Sequence, residues 1–199
     1  MRASPDSPRM FESDFVDFFS RTPWWVIPLI WIPISGALLT YGLLVRDVPP
    51  LPCLPLFALG WLVWTFMEYV LHRTAFHWVP DTSWGPRLHF LMHGVHHDWV
   101  FDRFRLVMPP AVSAVLSLIF GATFWFCFGP TWFWPSYAGF LFGYMVYDVV
   151  HYATHHLKLN WGWFQALKKH HLLHHHSPRH QDRKFGVSTT LWDHVFRTW

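Results

Sequence analysis

What most limits the structures open to this chain is a set of long uncharged runs. Trp24 to Val45, which follows Thr22-Pro23, carries no charged side chain and is long enough as a helix to cross a hydrocarbon core of about 30 Å. Pro28 and Pro33 are expected to kink it, a distortion that neighbouring helices can accommodate in a membrane. Leu51 to Leu71 forms a second run whose single charge, Glu68, lies near its end. Ala111 to Phe128 and Trp132 to Val150 form a third and a fourth, separated by Gly129-Pro130. The pattern predicts an all-α integral membrane protein, a four-helix transmembrane bundle with spans at about 24–45, 51–71, 111–128 and 132–150.

Composition points the same way. Charged residues make up 14% of the chain and aromatic residues 21%, both far from the averages of soluble domains. A formal net charge of +3, with no basic run among polar loops, excludes nucleic acid as the natural partner. Cys53 and Cys127 form no C-x-x-C pair, so neither a thiolate zinc site nor a disulfide scaffold is indicated, and both are expected as small buried hydrophobes. Four acids in the first 20 residues argue against a cleaved leader, so the N-terminus is expected to be retained. Residues 1–7 read as disordered. Ser7-Pro8 can then cap a short interfacial helix with Phe11, Phe15, Phe18 and Phe19 on one side and Glu12, Asp14 and Asp17 largely elsewhere. Residues 1–22 are thus a tail and interfacial helix, and residues 23–199 a single transmembrane domain.

An even number of spans returns the chain to the side on which it began. Of the 15 Lys and Arg residues only Arg46 then falls on the far side, and the positive-inside rule makes the shared side cytosolic. The segments 72–110 and 151–199 form a helical cap on that side, and all 16 histidines lie there.

Those histidines are clustered. His93, His96 and His97 are spaced by three and four residues, which places their rings on one face of a helix where neutral nitrogens can converge on a metal ion. His72 with His77, His151 with His155, and His171 with His174 and His175 add three more clusters. Ten imidazoles exceed what one ion can use, whereas two neighbouring ions can use them all. His72 and His77 differ by about 140° on an ideal helix, so both can ligate only if the helix unwinds between them. Glu68, one turn before His72, and Asp148, three residues before His151, are placed to hydrogen-bond a ligand imidazole or its neighbour and set its tautomer. Tyr147 and Asp102 are weaker candidates for lining the site. All-nitrogen ligation suits iron, zinc or copper rather than magnesium or calcium. With no H-E-x-x-H and no G-x-S-x-G, proteolysis and serine hydrolysis are disfavoured. A pair of irons that activates dioxygen beside a lipid remains the natural reading.

The order H-x4-H, H-x2-H-H, H-x3-H, H-x2-H-H is similar to that of the fatty acid hydroxylase and sterol desaturase superfamily of membrane di-metal oxygenases. The stretches Glu68 to Arg73, His89 to His97, Asp102 to Pro110, Tyr147 to Tyr152 and Phe185 to Asp193 resemble its fatty acid 2-hydroxylase branch, over about residues 55–199. The resemblance implies His72, His77, His93, His96, His97, His151, His155, His171, His174 and His175 as metal ligands. His89, His156, His170, His176, His180 and His194 are then surplus, with His89 supporting the second cluster. It also implies two metal ions, with iron expected for activity and zinc able to occupy the same nitrogens, and O2 as co-substrate. The chain departs from the eukaryotic 2-hydroxylases in lacking a haem-binding His-Pro-Gly-Gly stretch before the spans, so electrons are expected from a separate cytochrome b5-like or ferredoxin-like donor. That departure makes a bacterial inner membrane a plausible home, with the endoplasmic reticulum the eukaryotic counterpart.

The reaction this predicts is hydroxylation at C2 of a fatty acyl chain, with Tyr147 and Asp148 positioning the head. Metals at the ends of spans two and four would sit near the headgroups, whereas the acyl terminus lies roughly 15 Å deeper. Two other readings stand beside it: oxidation of a sterol, carotenoid or other lipid, and a metal store or transporter. The latter is disfavoured because the first and third runs offer no ligand near the bilayer centre.

Overall fold

A computed structural model describes residues 7–199, so the expected disorder over residues 1–7 lies, apart from Ser7, outside the described residues. Among those described there is helix and loop but no strand. The helices are α1 (Asp14–Phe19), α2 (Val26–Leu44), α3 (Pro50–Val70), α4 (Gly85–His89), α5 (Val95–Asp98), α6 (Pro110–His156), α7 (Gly162–His176) and α8 (Leu191–Val195). Two π-helical turns interrupt the order, Leu71–Phe76 directly after α3 and Phe90–Gly94 between α4 and α5.

Three helical stretches are long and apolar enough to cross a membrane: Val26–Leu44, Pro50–Phe76 and Pro110–His156. The last would measure about 70 Å if straight, more than twice a hydrocarbon core. It doubles back instead. Gly129 takes φ 66° and ψ 176°, a conformation that a side chain disfavours, and Pro130 supplies no amide to continue the preceding ladder. The two halves then pack along each other, with the Phe124 ring 4.8 Å from Phe140 and the Trp125 ring 5.3 Å from Phe133. The Tyr137 hydroxyl donates to the Ser117 carbonyl across the same seam. The third and fourth apolar runs are therefore the two arms of α6.

Both ligand-bearing helices extend further than expected. The helical path of α3 continues to Phe76 rather than ending at Leu71, and α6 continues to His156 rather than Val150. These extensions carry histidines. The α3 helix and the second arm of α6 touch almost backbone to backbone, since a Cβ on Gly139 would lie 1.9 Å from the Phe57 carbonyl oxygen. Around that seam Trp64, Phe140, Leu141, Tyr144 and Tyr147 form the core, while Leu51, Leu54, Leu118 and Phe126 stand exposed as a lipid-facing surface would require. Cys53 is buried as expected, but Cys127 is exposed on the outer face of α6.

The N-terminal helix starts later than expected. Its cap is Ser13, whose hydroxyl accepts the Val16 amide at 3.4 Å, not Ser7. Phe15, Phe18 and Phe19 are exposed, as an interfacial face requires, whereas Asp17 is buried. Asp17 is drawn inward by donors from three directions. Its Oδ1 accepts the Met10 amide at 2.7 Å and the Arg105 guanidinium at 2.8 Å, and its Oδ2 accepts Arg21 at 2.8 Å. Burial opposes its ionisation, but the Met10 and Phe11 amides and the two guanidinium groups outweigh that and hold the carboxyl well below the usual range.

Candidate metal centre

Local helix geometry explains how His72 and His77 come together. In an α-helix a spacing of five residues diverges, but in a π-helical turn each backbone bond reaches back five residues, which stacks such a pair on one side. The turn Leu71–Phe76 does this, so the helix widens rather than unwinds, and the two rings lie 5.1 Å apart.

The ten histidines fall into two groups of five. His72, His77, His93, His97 and His174 form one, and His96, His151, His155, His171 and His175 the other, with ligand atoms in each lying within 4.8 Å of one another. Residues four apart stay together and the third goes to the other group. His93 and His97 join the first and His96 the second, while on α7 His171 and His175 join the second and His174 the first. The three rings expected to converge from one face at His93, His96 and His97 are instead divided between two groups by the helices packed around them. Within the first group Nε2 atoms approach at 3.1 Å (His72 to His93), 2.9 Å (His97 to His93) and 3.0 Å (His77 to His174). In the second the separations are 3.0 Å (His151 to His96), 2.8 Å (His155 to His171) and 3.1 Å (His175 to His171). The groups adjoin, with the His97 and His175 rings 4.2 Å apart.

This arrangement fits metal ions. Two nitrogens at right angles on an ion, each about 2.1 Å away, stand about 3 Å apart, the spacing found here. The rings are also held neutral. Burial, reinforced by neighbouring imidazoles, lowers His77 to about 4 and His97 to about 2, and pushes His93, His96, His171 and His175 well below the ordinary histidine value. Lone pairs are therefore available at neutral pH without displacing a proton.

The surrounding hydrogen bonds differ from those expected. Glu68 touches no imidazole. Its Oε1 accepts the Val187 and Ser188 amides at 2.8 and 2.7 Å, and its Oε2 accepts the Ser188 hydroxyl at 2.5 Å. Asp148 likewise accepts a backbone amide, that of Met108, at 3.4 Å. Asp102 accepts the Phe104 amide at 2.8 Å and shapes its own loop. Each acid holds a chain segment because unpaired amides in a buried loop need acceptors more than neutral rings do. Tyr147 does reach the centre, its ring 5.7 Å from that of His151.

The groups that orient ligand rings are backbone carbonyls. His72 Nδ1 donates to the Phe185 carbonyl at 2.6 Å and His174 Nδ1 to that of Arg183 at 2.8 Å. Asp193 in turn holds this loop. Fully buried, it accepts the Phe185 amide at 2.9 Å, the Gly186 amide at 2.8 Å, the Thr198 hydroxyl at 2.6 Å and His170 Nε2 at 2.9 Å. Sequence reasoning overlooked Asp193, although an acid in the stretch Phe185 to Asp193 was a usable signal. The other surplus histidines stay outside both groups. His89 sits against Gly94, His156 packs on Tyr152, His180 bonds Ser177, His194 stacks on Trp199 and His176 is exposed. Beside the centre lies a narrow cavity of about 30 Å³, lined at one end by Glu68, Tyr144 and Tyr147 and at the other by Phe120 and Phe140.

Comparison with known proteins places this geometry. The Fatty acid hydroxylase family profile matches residues 57–198. The dihydroceramide fatty acyl 2-hydroxylase FAH1 of Arabidopsis thaliana is 38% identical over 98% of this chain and 81% of its own length. The fatty acid 2-hydroxylase of Homo sapiens is 34% identical over 96% of this chain and 56% of its own. Among solved structures, full-length Scs7p, with only the hydroxylase domain visible, superposes with a TM-score of 0.87 at 37% identity, covering 94% of this chain and 70% of that one.

Proposed function

The chain belongs to the fatty acid hydroxylase family, and from that premise we propose that it hydroxylates C2 of a fatty acyl chain in a membrane lipid, using O2 and two electrons from a separate cytochrome b5-like or ferredoxin-like donor. The observation that carries this reading is the pair of five-imidazole groups set beside an apolar cavity that has Glu68, Tyr144 and Tyr147 at the metal end and Phe120 and Phe140 at the other. His72, His77, His93, His97 and His174 would hold one ion, and His96, His151, His155, His171 and His175 the other. Iron is the expected active metal, with zinc able to fill the same nitrogens. Such a pair, when bound, supplies the reduction of dioxygen by which one oxygen atom enters a C–H bond and the other leaves as water.

The chain's own residues supply position and dryness. Tyr147, beside His151, forms the wall between cavity and centre and orients the acyl head. Asp148 steadies the Met108 amide behind that wall, and Glu68 anchors the Val187-Ser188 segment that closes the other side. Aromatic packing of Trp64 on Tyr144 and Tyr147 keeps water from the reacting carbon. The membrane arrangement that suits this chemistry is four spans, counting each arm of α6, with residues 1–22 as tail and interfacial helix, residues 23–199 as one domain, and the centre on the cytosolic side.

Mass spectrometry of acyl chains released from a host expressing the intact protein tests the reading. A one-oxygen gain at C2 that vanishes with His93→Ala is expected. Oxidation confined to mid-chain carbons or to a sterol ring would refute it.

A further inference from the structure

Two pockets in the helical bundle share lining residues. The inner one begins at Glu68 and Tyr147 beside the metal centre and ends at Phe120 and Phe140. The second is a lateral groove between α2, through Ile30, Ile34 and Leu38, and the first arm of α6, through Ala114, Leu118 and Ala122. Ser117 and Leu141, one from each arm of α6, line both. The Tyr137 hydroxyl, bonded to the Ser117 carbonyl, ties the arms together at that junction.

Length argues for one continuous path. From Tyr147 to Phe140 the helix rises only about 10 Å. An acyl chain of a membrane lipid occupies half of a 30 Å hydrocarbon core, roughly 15 Å, so a chain held near its head at the metal centre outgrows the inner cavity. At the metal end the polar side chains of Glu68, Tyr144 and Tyr147 enter the lining, and the buried Tyr144 hydroxyl is set beside Ser113 and Asp148. That end suits an acyl carbonyl. The groove is lined mostly by apolar side chains as well, and Leu118 (75% exposed) on its wall faces outward toward the surface read as lipid-facing.

Resting on the C2 reading above, we propose that the acyl tail leaves the inner cavity past Leu141 and Ser117 and continues into the lateral groove between α2 and α6, making Leu141 the residue that separates medium from long chains. Because the groove opens sideways to lipid, no wall stops the methyl end, and the protein takes chains longer than its interior.

Turnover of a series of saturated acyl substrates, from medium to very long chain, by the purified full chain reconstituted with iron and an electron donor tests this. Leu141→Trp is expected to lower the long-to-medium product ratio at least tenfold. Ala122→Trp, in the groove and outside the inner cavity, lowers it about threefold in the same direction, and covers the case in which the buried variant does not fold. Leu29→Trp, on an exposed face of α2 away from the groove, leaves the ratio unchanged. An unchanged ratio in Leu141→Trp and Ala122→Trp alongside C2 product from the unaltered protein, or an equal shift in Leu29→Trp, would overturn the path alone. Absence of C2 product from the unaltered protein at every length would instead defeat the functional reading on which it rests.

Discussion

Replacing Asp193 with Asn removes the buried charge on which the 183–188 loop is hung, and the consequence should be uneven across the metal centre. Asp193 accepts four hydrogen bonds, from the Phe185 and Gly186 amides, Thr198 and His170. Asparagine keeps the shape but turns a donating amide toward one pair of donors, leaving buried groups unmatched at a cost of about 1–3 kcal/mol each, on the order of 3 kcal/mol in sum after relaxation. The loop carries the Phe185 and Arg183 carbonyls that orient His72 and His174, and both rings belong to the first group of five. Loss of such a supporting partner typically costs 10–100-fold in metal affinity, so a weakening of roughly 100-fold is expected for that group. No ligand of the second group leans on this loop through a hydrogen bond among the described residues. Elemental analysis of untagged protein should therefore give two ions per chain before substitution and about one after equilibration with a mild chelator. Retention of both ions, or their loss in parallel, would refute the assignment of the loop to the first group.

Three further outcomes follow from the same geometry. Metal-free protein should lose stability as pH falls: the buried rings have folded values below those of free histidine, with His77 near 4, so the unfolded chain binds more protons from about pH 6.5 downward, and melting temperature should drop between pH 7 and 5. Arg105→Met should loosen the N-terminal helix, because it removes one of the two guanidinium partners of the buried Asp17 and forfeits the bonds to Pro8 and Ser20; a cost of about 1–3 kcal/mol is expected, read as faster proteolysis before residue 22. Single cysteines placed at residues 46–50 or 129–131, in a background with Cys53 and Cys127 replaced, should react with an impermeant reagent in intact cells. Protection of both turns would reverse the proposed sidedness.

Much of the architecture was legible along the chain because it rests on local rules. Apolar runs of spanning length dictate helix wherever water is absent, and Gly129-Pro130 marks a reversal because one residue admits positive φ and the other withholds an amide. Histidines at spacings of three and four announce convergence by helical periodicity alone. The tail, by contrast, was misread at Asp17, since its partners Arg105 and Met10 are brought to it by chain segments that periodicity does not relate.

Three features belong to the tertiary structure. The His72 to His77 pair needed a wider turn, and π-helical backbone is stabilised by what the residues do together rather than by any one propensity. Division of ten equivalent imidazoles into two groups of five came from the packing of the π-helical turn after α3, the 90–98 segment, α6 and α7, which decides which rings from separate elements share a centre. The roles of the acids came last: Glu68 and Asp193 reach the 185–188 loop across 120 and 8 residues of chain, as buried amides without a ladder partner required. Sequence thus determined which chemistry the chain carries, because residue type and local spacing suffice for that. Folding decided which atoms meet, because contacts between distant segments depend on how whole helices pack.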